Sequence, residues 1–231
     1  MPDVTVTAAD GGSFSAYLAS PPSGTGPGLV VIQEIFGVNA DIRGVCDRYA
    51  RDGYFAIAPD LFWRQEPGVQ LTDKSKAEWD KAFALMKGFD FPKGVADIAA
   101  TLGHVRKLEG ATGKAGAVGF CLGGSLAYHT ACFTDSDASV AYYPVQIENA
   151  LNHAGKISKP LLIHFAEKDQ FCPLETQKKI YANLIGIILI SIYSYPGVEH
   201  AFARTGGEHY DKAAADLANR RTAEFLKTNL A

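Results

Sequence analysis

Cys121 stands in the run Gly119-Phe120-Cys121-Leu122-Gly123-Gly124, after an apolar segment, Ala115–Gly119, that reads as a strand and before a segment, Ser125–Phe133, that reads as a helix. A nucleophile held as Gly-x-Nuc-x-Gly at a strand-to-helix turn is the nucleophile-elbow pattern, here with cysteine where serine is usual. The glycines have a physical task. The turn is sharp, the backbone of its central residue is strained, and a Cβ on the flanking residues would meet neighbouring chain. Such a turn lifts the sulfur to the mouth of a pocket and aims the Leu122 N–H, at a helix N-terminus, at developing negative charge. Two plainer accounts compete. One is a tight turn carrying a buried structural cysteine. The other is a phosphate-binding glycine loop, but the order Gly-x-Cys-x-Gly-Gly departs from that fingerprint.

A thiol nucleophile needs a base, and the base needs an orienting acid. In doubly wound sheets the reacting groups collect beyond the strand C-termini. Past the strand read at Pro160–Phe165 lies Ala166-Glu167-Lys168-Asp169-Gln170, and past the strand read at Ile187–Tyr195 lies Pro196-Gly197-Val198-Glu199-His200. The order Cys121, Asp169, His200 is nucleophile, acid, histidine, the chain order of α/β-hydrolases. Of the six histidines, only His200 follows the last strand in a glycine-containing loop. His104 and His129 fall in helical patterns, His164 inside a strand, and His153 and His209 in polar stretches. Asp169 is favoured over Glu167 as the acid, although either could cap the helix that follows Pro173.

These residues require a scaffold, and the hydropathy pattern supplies one. Val4–Ala8 and Phe14–Leu18 read as a hairpin across Asp10-Gly11-Gly12. Gly28–Gln33 is an apolar run suited to a strand buried on both faces, and Tyr54–Ala58 is the next strand, stopped by Pro59-Asp60. Helices are predicted at Ala40–Arg51, Lys74–Lys87, Pro92–Leu108, Leu174–Asn183 and Asp211–Leu230, with a further strand at Ser139–Tyr143 and a long loop at Leu61–Thr72. Strands alternating with helices predict an α/β fold: a doubly wound, mostly parallel sheet with an antiparallel N-terminal strand and helices on both faces. With no linker or repeat, residues 1–231 read as a single domain. The isoleucine-rich run Leu184–Tyr195 reads as a buried strand.

Composition narrows the function classes. The 231 residues are 47% hydrophobic, ample for a full core, and the net charge is −3 without a basic stripe. Binding to nucleic acid or to an anionic membrane is therefore unsupported. Met1-Pro2-Asp3-Val4-Thr5 lacks the pattern of a secretory leader, and no apolar stretch is long enough to span a bilayer. The four cysteines, Cys46, Cys121, Cys132 and Cys172, are widely spaced, with no Cys-x-x-Cys and no zinc-type spacing. Free thiols in a cytoplasmic setting are expected, with no metal and no cofactor.

The motifs Gln33-Glu34-Ile35-Phe36-Gly37, Pro59-Asp60-Leu61, Gly119-Phe120-Cys121-Leu122-Gly123-Gly124, Asp169 and His200-Ala201-Phe202-Ala203-Arg204 run nearly end to end. On them the chain resembles the dienelactone hydrolase family of α/β-hydrolases, the carboxymethylenebutenolidases among them. The resemblance implies a Cys-His-Asp triad at Cys121, His200 and Asp169, and an oxyanion hole from the backbone N–H groups of Ile35 and Leu122. It also implies that Glu34, which by sequence alone reads as a cap or ion-pair partner, controls ionisation of the thiol. A carboxylate beside a thiol disfavours the thiolate, so the resting sulfur is protected until substrate displaces Glu34.

The family's typical substrate is a small lactone bearing a carboxylate, held by two arginines. One matches Arg204. The other, counted back from Phe89-Asp90, falls on Trp79, and an indole cannot hold a carboxylate as an arginine fork does. Phe83 stands where the family often has tyrosine, and Tyr142-Tyr143-Pro144-Val145-Gln146 replaces the usual Tyr-Tyr-Gly-Val-Gly. An apolar pocket is expected, with Phe36, Trp79, Phe83, Tyr142 and Phe202 as walls. Its expected partners are small-molecule esters, neutral lactones or phosphotriesters, acted on by a monomer or small homo-oligomer. Two rivals remain open: a thiol redox enzyme with Cys132 or Cys172 as resolving partner, and a non-catalytic protein that keeps the fold.

Overall fold

A computed structural model describes residues 3–231; Met1 and Pro2, with which the N-terminal motif begins, lie outside them. The strands are β1 (Asp3–Thr7), β2 (Ser13–Ala19), β3 (Gly26–Ile32), β4 (Phe55–Pro59), β5 (Ala111–Phe120), β6 (Ser139–Tyr142), β7 (Leu161–Ala166) and β8 (Ile190–Tyr195). The helices are α1 (Ala40–Arg51), α2 (Lys76–Lys87), α3 (Phe91–Val105), α4 (Leu122–Phe133), α5 (Leu174–Leu184) and α6 (Lys212–Leu230). The strands form one mixed sheet in the order β1-β2-β4-β3-β5-β6-β7-β8. The chain divides into two compact units, Met1–Ala117 and Val118–Ala231.

In the first unit β1 pairs antiparallel with β2 and β2 antiparallel with β4, while β4 runs parallel to β3. The hairpin turn closes through Ala8 N–H to the Gly12 carbonyl at 2.8 Å, with Gly11 at φ 86°. α1 begins where Asn39 accepts the Ile42 N–H, and its buried Ile42, Cys46, Tyr49 and Ala50 fall on one helical face. α1 and α3 both pack on β3 and β4.

In the second unit β6, β7 and β8 are parallel neighbours. α4 is buried around nearly its whole circumference, as its apolar sequence demands. α6 starts at Asp211, whose side chain accepts the Ala214 N–H, and buries Ala215, Ala218, Thr222, Leu226 and Leu230. It packs on β7.

The structure corrects several expectations. β5 begins earlier than predicted and α4 begins directly after Cys121, because glycines that weaken a helix in isolation are tolerated in a buried first turn. Two 3₁₀ segments, Ile147–Asn149 and Leu151–Lys156, were not anticipated. The isoleucine-rich run is not a buried strand. β8 is the last strand of the sheet, most of its residues are at least partly exposed, and Ile188 before it is 98% exposed. An edge strand has one neighbour instead of two, so apolar content there does not guarantee burial.

Candidate active site

The elbow in the second unit has the geometry its glycines require. Cys121 adopts φ 56°, ψ −114°, an unfavourable conformation for a residue with a Cβ, at a typical cost of about 1–3 kcal/mol. Its surroundings hold it there. Cys121 N–H donates to the Tyr142 carbonyl at 3.1 Å, and the Cys121 carbonyl accepts from Ser125 N–H at 3.1 Å. The Ser125 hydroxyl in turn accepts the Val145 N–H at 2.9 Å and donates to the Val145 carbonyl. A Cβ on Gly124 would lie 2.5 Å from the Tyr142 carbonyl oxygen, and one on Gly119 would lie 1.9 Å from the Gly123 carbonyl oxygen. Both obstacles are backbone and cannot swing aside. Gly119→Ala is therefore expected to cost about 4 kcal/mol or more, read as a fall in the denaturation midpoint; an unchanged midpoint would contradict this packing.

Two loops beyond β7 and β8 are zipped together. Glu167 N–H donates to the Tyr195 carbonyl at 3.1 Å, Lys168 N–H to the Val198 carbonyl at 2.9 Å, and Gly197 N–H to the Glu167 carboxylate at 2.7 Å. Glu167 thus ties the loops from an exposed position, and Asp169 occupies the interior. One Asp169 oxygen accepts the N–H groups of Phe171 (2.9 Å) and Cys172 (3.3 Å), and the other lies 2.7 Å from His200 Nδ1. Asp169 and His200 are both buried.

The opposite side of the imidazole meets Cys121, which keeps 9% of its surface exposed. Burial pushes the His200 pKa down. The Cys121 charge, the Asp169 hydrogen bond and the Cys121 hydrogen bond outweigh it and raise the value to about 10. The imidazolium is thus strongly stabilised beside sulfur and carboxylate, the condition for a base that must take a thiol proton. Leu122 is the first residue of α4, where backbone N–H groups have no partner within the helix.

The remaining thiols differ. Cys172 and Cys132 are buried, and burial first of all pushes them up to about 12 and about 11; burial raises Cys46 further still. All three are held as neutral thiols, poor partners for exchange.

Two rings missed by sequence reasoning touch His200. Tyr143, at φ 35°, lies edge-on to the imidazole with centroids 5.1 Å apart, and the 38% exposed Phe171 does the same at 4.8 Å. Their places after β6 and in the Asp169 loop were the available signal. Tyr142, predicted as a wall, is fully buried with its hydroxyl turned to α6. Phe202 is also fully buried and packs on Tyr143 at 5.6 Å. Arg204 follows in the same turn, its N–H donating to the Ala201 carbonyl at 2.9 Å.

In the first unit, Glu34 and Ile35 follow β3, and both are buried. Gln33 joins the end of β3 to the Pro59-Asp60-Leu61 turn: its Oε1 accepts Leu61 N–H at 3.1 Å, and its Nε2 donates to the Glu34 carbonyl at 3.4 Å. Phe36, Trp79 and Phe83 form one aromatic cluster, with centroids 4.9 Å apart for Phe36–Trp79 and 5.5 Å for Trp79–Phe83. The Trp79 indole N–H is spent on the Asp73 carbonyl at 3.1 Å.

Comparison with known proteins bears directly on this geometry. The model of the dienelactone hydrolase family matches residues 14–230. The chain belongs to the dienelactone hydrolase family. It is 50% identical, over the whole of both chains, to an Azospirillum brasilense protein named "Putative carboxymethylenebutenolidase". It is 35% identical to the carboxymethylenebutenolidase of Pseudomonas putida, covering 96% of this chain and 94% of the other. The crystal structure of a "Putative Dienelactone Hydrolase" from Klebsiella pneumoniae superposes with a TM-score of 0.87 at 25% identity, covering 98% of this chain and 97% of that one. The fold is accordingly that of the α/β-hydrolases, and this dienelactone hydrolase family member hydrolyses ester or lactone bonds. Among the described residues, no helix is long and apolar enough to cross a membrane.

Proposed function

We propose that this hydrolase works through Cys121 as nucleophile, His200 as base and Asp169 as orienting acid, by way of a thioester on Cys121. The observation that carries the reading is the His200 imidazole, bonded through Nδ1 to Asp169 and in hydrogen-bonding reach of the Cys121 sulfur. With Nδ1–H donated to the carboxylate, Nε2 is the nitrogen that faces the sulfur, and the raised His200 pKa reflects the imidazolium formed there when the proton passes from Sγ to Nε2. His200 takes the Sγ proton, and the thiolate adds to the substrate carbonyl carbon. The carbonyl electron pair moves to oxygen, where the Leu122 and Ile35 N–H groups donate, each worth about 3 kcal/mol at the transition state. Collapse expels the alcohol or enol, which takes the proton back from His200. Water, deprotonated by His200, then adds to the thioester, and collapse releases the acid and the thiolate.

In this reading Glu34 restrains the thiol until substrate arrives and Ile35 supplies the second oxyanion donor, both roles drawn from the family. Arg204 binds a substrate carboxylate and the Phe36–Trp79–Phe83 cluster supplies apolar contact, whereas Tyr142 and Phe202, both fully buried, pack behind the site instead of lining it. The relatives' names point to carboxylated lactones, whereas Trp79 in place of the second arginine favours neutral esters and lactones. Phosphotriesters are a further class open to the same thiolate, with hydrolysis of the sulfur–phosphorus bond as the difficult step. The family match across residues 14–230 supports a single domain. In this reading the protein acts as a monomer or small homo-oligomer; four free cysteines support a cytoplasmic setting, and a net charge of −3 without a basic stripe argues against a nucleic-acid or anionic-membrane partner.

The test is steady-state kinetics on neutral aryl and alkyl esters, neutral and carboxylated lactones and phosphotriesters, with intact-mass analysis of quenched turnover. An acyl adduct on Cys121 and a higher kcat/KM for neutral esters are expected. Preference for the carboxylated lactones would overturn the apolar-pocket reading. Peroxide consumption without an acyl adduct would support the redox rival.

A further inference from the structure

A chain of buried and half-buried polar side chains runs from α6 to the backbone that holds the elbow, and each hydrogen bond in it fixes the direction of the next. The Tyr142 hydroxyl donates to Asn219 Oδ1 at 3.0 Å, which uses its only proton. Its second contact, with Thr222 Oγ1 at 2.7 Å, must then run from threonine to tyrosine. Thr222 has spent its own proton, so at 2.9 Å it accepts from His164 Nε2–H. The imidazole carries one proton only, because burial first and the neighbouring Arg221 second lower its pKa to about 3. Its Nδ1 therefore accepts from the Tyr195 hydroxyl at 2.9 Å. Arg221 closes the series by donating to the Tyr195 oxygen. Each bond dictates the next, from Arg221 to Tyr195, His164, Thr222, Tyr142 and Asn219. His164 and Thr222 are fully buried.

This series meets the reacting groups at two points. The Tyr142 carbonyl accepts the Cys121 N–H at 3.1 Å, and the Tyr142 ring packs on Phe120 at 4.8 Å. The His164 carbonyl accepts the Tyr143 N–H at 2.7 Å, and the Tyr143 ring lies against His200. A buried network with every member bonded holds one arrangement, and loss of one member leaves a buried polar group unpaired.

We propose that Thr222 and His164 are positioning residues for hydrolysis: through Tyr142 and Tyr143 they set the strained Cys121 backbone and the His200 ring in reacting register. The proposal rests on Cys121 being the nucleophile. No direct contact with substrate is required of either residue. Removing the threonine hydroxyl at constant shape takes away the acceptor of His164 Nε2–H and the Thr222 bond to the Tyr142 hydroxyl, which loosens the hold on Tyr142 beside the elbow.

Thr222→Val in the full-length enzyme is the test, with kcat and KM on an aryl ester, the rate of Cys121 alkylation by iodoacetamide, and the melting temperature. We expect kcat about 10- to 100-fold lower, the range in which small misplacements of reacting groups fall. KM should stay within about twofold of the parent and alkylation should slow, because these readouts separate register from binding. Thr222→Ser, which restores the hydroxyl, should recover both rates. A Thr222→Val enzyme with a lower melting temperature but unchanged kcat and alkylation rate would overturn the proposal, since the network would then be structural alone. If Thr222→Val does not fold, Tyr195→Phe removes the donor at the other end, and an unchanged kcat in that variant overturns the proposal equally. Cys121→Ala separates the two readings. Retained turnover there would remove the thiol mechanism itself, whereas an inactive Cys121→Ala beside an unaffected Thr222→Val would remove only the network.

Discussion

Cys121→Ala is expected to lower kcat on the order of 10⁴- to 10⁶-fold, with substrate binding retained. Alanine removes the only group able to form the thioester and leaves the elbow's hydrogen bonds in place, because they use the Cys121 backbone. The turn should therefore survive, and the circular dichroism spectrum and melting curve should match those of the parent. Residual turnover should come from oxyanion donors and proximity acting on water. Cys121→Ser keeps the shape and should also be slow. Cys121 is among the causes that raise His200, beside the Asp169 hydrogen bond, and a serine hydroxyl, far less acidic than a thiol, gives up its proton to the imidazole much less readily. Burst kinetics and intact mass distinguish these cases: the parent accumulates or passes through an adduct on Cys121, and the alanine variant forms none. Full turnover by Cys121→Ala would end the thiol mechanism.

Asp169→Asn is the second large effect, expected to lower kcat by about 10⁴-fold. The change is isosteric, and Oδ1 can still accept from Phe171 and Cys172. The amide NH₂ must then face His200 Nδ1, and two donors cannot share that bond. Nδ1 becomes the acceptor, the proton moves to Nε2, and the imidazole presents N–H instead of a lone pair to the thiol. The base is present in the wrong tautomer. A stability signature accompanies the loss. In the folded parent His200 is raised from 6.5 to about 10, so the folded state binds a proton that the unfolded state releases. That contribution is fully present below about pH 6.5 and is lost as pH rises through about 10. Asp169→Asn removes one of its causes, so the fall in unfolding free energy across that window should be shallower than in the parent. Equal slopes, or an Asp169→Asn enzyme with parental kcat, would contradict the assigned role.

Much of the site is legible in local sequence because its physical demands are local. Gly119 and Gly124 face backbone atoms that no side chain could avoid, and that demand is written in the residue types themselves. The hydropathy runs placed α1 to the residue and most strands to within a few positions, since burial on one or two faces leaves a period. Asp169 and His200 were found by their positions past strand ends. The choice of Asp169 over Glu167 depends on which carboxylate turns inward, and a two-residue offset in a loop does not encode that. The isoleucine-rich run misled for a related reason: composition records what a strand is made of, whereas its place at the sheet edge decides what covers it.

By itself, then, the sequence determined the strand–helix alternation, the glycine-framed thiol and the order of Cys121, Asp169 and His200 past successive strands, because each follows from spacing along the chain. Only the tertiary structure decided that Tyr143 and Phe171 pack against His200. It alone brought Thr222 on α6, His164 on β7 and Tyr142 on β6 into one series of hydrogen bonds. Those residues lie up to 80 positions apart. Hydrogen bonds act over about 3 Å, so a network of them exists only once the elements that carry its members are packed.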